Sequence, residues 1–105
     1  MSDYKIQHVV FTPLAEYDLS QIHDYIAGNS APRIAAAFID RIESACAALA
    51  EFPMRGVARD DLAPGIRTTN VEGRTLIAYR IEGHTLRIIR IFYAGRDFEA
   101  ELSEP

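Results

Sequence analysis

Cysteine is almost missing from this sequence of 105 residues, where Cys46 stands alone. A lone thiol cannot close an internal disulfide and leaves no second sulfur for a zinc site. No basic side chain adjoins it to stabilise a thiolate, so in its alanine-rich setting it reads as a small buried hydrophobe. Long apolar runs are missing too, and none approaches the ~20 residues that cross a bilayer. Met1-Ser2-Asp3-Tyr4-Lys5 lacks a basic stretch followed by a hydrophobic one, so a cytoplasmic protein without a secretory signal is expected. The histidines are few: His8, His23 and His84 fall on separate elements without metal-ligand spacing, and neither a metal nor a cofactor is expected. There is no Gly-x-Ser-x-Gly, phosphate-binding loop, dinucleotide fingerprint or His-Glu-x-x-His. Asp60-Asp61 reads as a solvated turn.

An excess of positive charge is also lacking. The net charge of −4 argues against a general or sequence-specific nucleic-acid binder, which is normally basic. The charge is unevenly spread. Residues 1–52 carry three basic and seven acidic side chains, residues 53–98 carry eight arginines and five acids, and the tail from Glu99 adds three glutamates. An arginine-bearing half between acidic segments permits a local electropositive face.

What is present suits a globular chain, with 49% apolar and 25% charged residues. The length fits one core, so a single domain over 1–105 is expected. Lys5 to Phe11 reads as a first strand, stopped by Thr12-Pro13, where threonine caps a helix and proline suits its first turn. Ala15, Leu19, Ile22 and Ile26 recur at helical spacing, which predicts a helix over 13–27 ended by Gly28-Asn29. Ser30-Ala31-Pro32 opens a second helix in the same way. Its stripe is Ala35, Phe38, Ile39, Ile42, Ala45, Cys46, Leu49 and Phe52, with Pro53 blocking continuation. The short link between the helices makes them an antiparallel hairpin. Met54 to Gly65 has no period and reads as a loop. Ile66–Val71, Thr75–Ile81 and Thr85–Tyr93 read as strands separated by the glycine-containing gaps of hairpins. The tail from Asp97 to Ser103 fits either a last helical turn or a frayed end. The expected class is α+β: a strand, a helical hairpin and a three-stranded antiparallel meander, with the first strand joining the sheet because its backbone groups need partners.

Arg80 and Arg90 lie mid-strand among aliphatic residues, and Arg96 follows the last strand. A strand arginine so placed must reach solvent, an acid or a ligand, because an unpaired buried charge is costly. On one sheet face the three could receive phosphate or a partner's carboxylates. The alternative is internal pairing, Arg96 with Asp97 or a helix acid and Arg90 with Glu82 or Asp24. Tyr79 and Tyr93 read as core-edge aromatics ahead of catalytic phenols.

Several stretches, in this order and in a chain of this length, carry a resemblance. They are Val10-Phe11-Thr12-Pro13-Leu14-Ala15-Glu16-Tyr17-Asp18-Leu19, Ile22-His23-Asp24-Tyr25-Ile26, Leu49-Ala50-Glu51-Phe52-Pro53-Met54-Arg55-Gly56, Asp61-Leu62-Ala63-Pro64-Gly65-Ile66-Arg67, Leu76-Ile77-Ala78-Tyr79-Arg80-Ile81 and Ile89-Arg90-Ile91-Phe92-Tyr93-Ala94-Gly95-Arg96-Asp97. From about Lys5 to Leu102 the sequence resembles the ParE branch of the RelE/ParE toxin superfamily. The resemblance implies the same fold and the toxin half of a toxin–antitoxin pair. ParE-like members inhibit DNA gyrase, whereas RelE-like relatives cleave messenger RNA on the ribosome.

Cleavage would need groups that stabilise phosphate charge and move protons. Arg96 matches one basic position of the cleaving branch. Leu76 stands where an arginine is wanted, with Arg74 nearby. Ile66–Val71 lacks the lysine pair, and Leu102 falls near the expected tyrosine. Tyr93 stands where many ParE-like chains have histidine and could substitute as a phenol. The acidic balance also speaks against a protein that grips ribosomal RNA. The expectation is therefore a gyrase inhibitor that acts by binding, the alternatives being a ribosome-dependent endonuclease or a non-toxic interaction domain. Arg80, Arg90, Tyr93 and Arg96 are expected at the target contact. A ParD-like antitoxin is expected to lay an amphipathic helix between the helical hairpin and the sheet edge, on Tyr17, Tyr25 and Phe92.

Overall fold

The computed structural model describes residues 5–93. Its first strand, β1 (His8–Phe11), is followed by α1 (Pro13–Asn29) and α2 (Pro32–Ala48). Then come β2 (Val57–Ala58), β3 (Arg67–Val71), β4 (Thr75–Glu82) and β5 (Thr85–Tyr93). The strands form one sheet in the order β1-β5-β4-β3-β2, with β1 parallel to β5 and the other pairs antiparallel.

Local chemistry accounts for the helix starts. The Thr12 hydroxyl accepts from the Ala15 N–H at 3.0 Å and donates to the Ile89 carbonyl at 2.8 Å, so one side chain caps α1 and ties it to β5. The start of α2 departs from expectation. Its N-cap is Ala31, which offers no side-chain bond, and Pro32 alone supplies the helix-ready backbone. The ends differ as well. Gly28 lies inside α1, which runs on to Asn29, whose amide donates to the Tyr25 carbonyl at 2.8 Å. The second helix stops at Ala48, before the end of its apolar stripe, and Phe52 stands exposed in the turn beyond it.

The first strand is shorter than its sequence suggests. Gln7 N–H is drawn off to the His84 carbonyl at 2.7 Å, and His84 Nδ1 contacts the Lys5 carbonyl at 2.7 Å, so the segment before β1 is tied to the β4–β5 turn. That turn holds Gly83 at φ 64°, a conformation that glycine adopts without steric cost. The segment read as a loop from Met54 contains β2, an edge strand too short to show a period.

The helices cover one sheet face. Leu19, Ile22, Ile26, Phe38, Ile42, Cys46 and Leu49 meet Ile77, Tyr79, Leu86, Ile88 and Ile91 in the main core. Cys46 is 1% exposed, and burial, helped by the charge of Glu43, pushes its thiol up to about 12. The other sheet face has a smaller cluster of Leu62, Ala78 and Phe92, with Leu76 packed against it. A register shift between Ala78 and Tyr79 sets Ala78 opposite Arg90 and Tyr79 opposite Ile88, which leaves Ile89 as the extra residue of a bulge.

Tyr79 fixes the connection from α2 back to the sheet. Its buried hydroxyl donates to the Pro53 carbonyl at 2.7 Å and accepts from Gly56 N–H at 3.0 Å. Gly56 is required there, since a Cβ would lie 2.7 Å from both the Tyr79 oxygen and the Thr68 carbonyl. Replacing Tyr79 by Phe strands the buried Gly56 N–H, at a cost of about 1–3 kcal/mol, and leaves the part-buried Pro53 carbonyl without this donor. Urea denaturation of Tyr79→Phe should show a lower midpoint with an unchanged slope. An unchanged midpoint would mean that water already satisfies these groups.

Candidate functional site

The strongest local chemistry joins α1 to β5. Strand β1 ends at Phe11, opposite Ile88, and among the described residues no strand pairs with the rest of the β5 edge on that side. Helix α1 takes over. Thr12 N–H donates to the Ile88 carbonyl at 3.0 Å, and the Thr12 hydroxyl reaches Ile89. Asp18 then accepts from the Ile91 N–H at 2.8 Å. The same carboxylate takes Arg90 Nε at 2.8 Å and Arg90 Nη2 at 3.0 Å. The side chains of Asp18 and Arg90 are 4% and 15% exposed, so this is a buried, bidentate pair. The guanidinium also lies 5.0 Å from the centre of the Phe92 ring. Arg90 was paired from sequence with Glu82 or Asp24, but its acid is Asp18. The missed signal was an acid at helical spacing inside an apolar stripe, Ala15-Asp18-Leu19-Ile22.

Arg80 and Arg87 are cross-strand partners. They share Glu82, at 3.8 Å from Arg80 Nη1 and 2.9 Å from Arg87 Nε. Arg80 Nε also donates to the Pro64 carbonyl at 3.1 Å, which holds the loop before β3 against the sheet. Leu86 and Ile88 belong to the helix-side core, and so does Ile81. Alternation therefore puts Arg87 and Arg80 on the opposite, outer face with Phe92. Nearby, the hydrogen bond from Arg59 lowers the pKa of the exposed Asp61 carboxyl.

Tyr93 goes to the helix side. Its ring packs edge-on against Phe38 at 5.5 Å and Tyr25 at 6.0 Å between centroids. The Arg41 guanidinium lies 5.3 Å from the Phe38 centroid and bonds Glu72 at 2.7 Å, so the group ties α1, α2, β5 and the β3–β4 turn together. Tyr25 remains 58% exposed, and Leu14 and Tyr17 are 57% and 59% exposed along the same helix. Positions 14, 17, 21 and 25 follow one side of α1, beside its buried stripe. Phe52, Met54 and Val57 form a second group of exposed apolar side chains beside β2.

The residues singled out from sequence therefore divide. Arg80, Arg90 and Phe92 share the outer sheet face, with Phe92 only 3% exposed. Tyr17, Tyr25 and Tyr93 belong to the helix side, where Tyr25 and Tyr93 touch. Arg96 and the tail lie outside the described residues. Among the described residues no group of three or more His, Cys, Asp or Glu could hold a metal ion, and no helix is long and apolar enough to cross a membrane. What the surface offers is planar cations and aromatic faces, groups suited to recognising carboxylates and apolar helices.

The profile of a family described as the ParE toxin of type II toxin–antitoxin system, parDE, matches residues 9–98. The Toxin ParE3 of Caulobacter vibrioides is 32% identical over 96 residues, covering 91% of this chain and 95% of that protein. A structure from the chromosomal ParDE system of P. aeruginosa superposes with a TM-score of 0.75 at 24% identity, covering 90% of this chain and 100% of the other. The toxin–antitoxin complex RelBE2 of Mycobacterium tuberculosis gives a TM-score of 0.57 at 26% identity, with 88% and 94% coverage.

The two arginines should separate on mutation. Arg90→Ala leaves the Asp18 carboxylate buried without its cation, a loss of about 3–5 kcal/mol. Arg80→Ala removes a half-exposed pair and should cost under about 1 kcal/mol. Chemical denaturation of both variants checks the ranking, and equal losses would contradict it.

Proposed function

Because this chain belongs to the ParE toxin family of type II toxin–antitoxin systems, we propose that it arrests growth by binding DNA gyrase, with no chemistry of its own, and that a ParD-like antitoxin blocks it. It works in the cytoplasm as a single domain, in complex with the antitoxin until released.

The observation that carries the antitoxin reading is the exposed side of α1. Leu14, Tyr17 and Tyr25 stand 57–59% exposed on a helix whose adjacent side is fully packed. An amphipathic helix folding onto this stripe gains apolar burial at ~25 cal/mol per Å², set against its own ordering cost. Tyr25 leans on Tyr93, so an antitoxin docked there touches the end of β5 as well.

For the target, support comes from how firmly the C-terminal strand is held. Arg90 is fixed by Asp18 and Tyr93 by its two ring neighbours, which gives a preorganised surface for a large protein partner. Arg80 belongs to the same outer face as Arg90 and extends that contact, as does Arg96 beyond the strand.

Expression from a tightly repressed promoter tests both parts. The expected result is growth arrest with altered plasmid supercoiling and intact transcripts, reversed by co-expressing the cognate antitoxin. With Tyr17→Asp and Tyr25→Asp together, arrest should persist while antitoxin rescue is lost. Cleaved transcripts on translating ribosomes would reverse the assignment to an endonuclease. No arrest at good soluble expression would leave an interaction domain.

A further inference from the structure

Strand β2 covers only part of its neighbour. It pairs Val57 with Thr68 and Ala58 with Arg67, so among the described residues Thr69 to Val71 of β3 have no strand beside them on that side. The chain ahead of β2 is diverted by side chains. The Tyr79 hydroxyl donates to the Pro53 carbonyl and accepts the Gly56 N–H. Arg67 Nη2 donates to the carbonyls of Met54 at 2.8 Å and Gly56 at 2.6 Å. Both backbone groups of Gly56 are thereby used, and neither extends the ladder along β3.

The open stretch presents backbone groups of its own. Arg59 N–H donates to the Ile66 carbonyl at 2.8 Å, and hydrogen-bonded pairs alternate along an antiparallel ladder. Val57 and Thr68 form the next such pair, so Thr68 turns its N–H and C=O toward β2. Asn70 turns its own the same way, past the end of β2. Alongside lies a cleft of about 410 Å³, apolar where Ala45, Leu49 and Val71 line it and polar at Arg55, Thr69 and Asn70. The exposed Arg55 guanidinium meets no carboxylate among the described residues. Glu72, at the same rim, is already held by Arg41 at 2.7 Å.

We propose that this slot takes an extended segment of another protein, added antiparallel to Thr69–Val71 as β2 is to the start of β3. The segment sets an aliphatic side chain on Leu49 and Val71 and, two residues on, a carboxylate against Arg55. Asn70 supplies one donor and one acceptor to the incoming backbone, the way sheet edges recruit peptides. Alternate residues of a strand share a face, which fixes the spacing of the two recognised side chains. Charge selects the occupant. A second copy pairing through the same edge brings another Arg55 toward the first, and its Glu72 is already tied to Arg41. The slot lies toward the opposite edge of the sheet from the junction of β5 with α1, so it is separate from the α1 surface assigned to the antitoxin and does not rest on that assignment.

Titration of the isotope-labelled full chain, followed by NMR, provides the test and needs neither toxicity nor gyrase. The probe is a five-residue peptide blocked at both ends, serine-valine-serine-glutamate-serine. Saturable amide shifts are expected at Thr69, Asn70 and Val71, with none at Tyr17 or Tyr25. The same peptide with lysine in place of glutamate should bind roughly tenfold more weakly, and Arg55→Glu should reverse that preference. Because the Arg55 side chain is exposed and bonds to nothing in the fold, this variant leaves the slot itself intact. Methylating the backbone nitrogen of the central serine removes the donor to the Asn70 carbonyl and should weaken binding several-fold. Absence of the shifts, equal affinity for the two peptides, an unaltered preference in Arg55→Glu or no loss on methylation would overturn the proposal. So would the same shifts on raising the protein concentration alone, which would give the slot to a second copy.

Discussion

Everything at the C-terminal end of this sheet depends on one carboxylate. Removing Asp18 from water would be expensive if it stood alone, and its retention is intelligible only because three donors converge on it. The Ile91 amide would otherwise face a sheet edge that β1 has already left, and Arg90 would otherwise be a guanidinium among isoleucines. A single side chain therefore closes an edge, neutralises a charge and sets where α1 crosses the sheet. The Thr12 hydroxyl does related work earlier on the same edge, serving at once as helix cap and as donor to β5.

From that anchor the two faces of the sheet acquire different characters. On the helix side, Tyr93 is placed where it meets Phe38 and Tyr25, and a half-exposed aromatic stripe continues along α1. On the outer side, the bulge at Ile89 leaves Arg90 over the Phe92 ring, in line with the arginines farther along β4 and β5. A chain with net charge −4 thus presents a restricted cationic surface and a separate apolar one. That separation is what a protein needs if it is to meet two partners, one of which turns off its action on the other.

Much of the fold was legible because local signals and global packing agreed. Thr12-Pro13 marked the start of α1 by cap chemistry, and strand β5 is found over Thr85–Tyr93 as the alternation and turn residues imply. Where local signals were weak, the reading failed for identifiable reasons. Strand β2 has two residues, too few for any period, and exists because Tyr79 and Arg67 tether the chain ahead of it to the sheet. Ser30 looked like a cap, yet the helix begins at Pro32 with no side-chain cap at all. The site was less legible than the fold. Arg90 was recognisable as a charge in need of a partner, but only the crossing of α1 over β5 selects Asp18 over Asp24, which lies nearly two turns farther along the helix and is exposed.

The Ile91 amide offers the most direct measurement of this arrangement. Hydrogen exchange followed by NMR at neutral pH should find it as protected as the amides in the middle of β4, although among the described residues no strand pairs with it on that side and a side-chain carboxylate is its acceptor. Asp18→Ala should then bring the Ile91 exchange rate close to that of an exposed edge while the β4 centre stays comparatively slow. Rapid exchange at Ile91 in the unmodified protein, or protection unaltered by Asp18→Ala, would contradict the role assigned to the carboxylate.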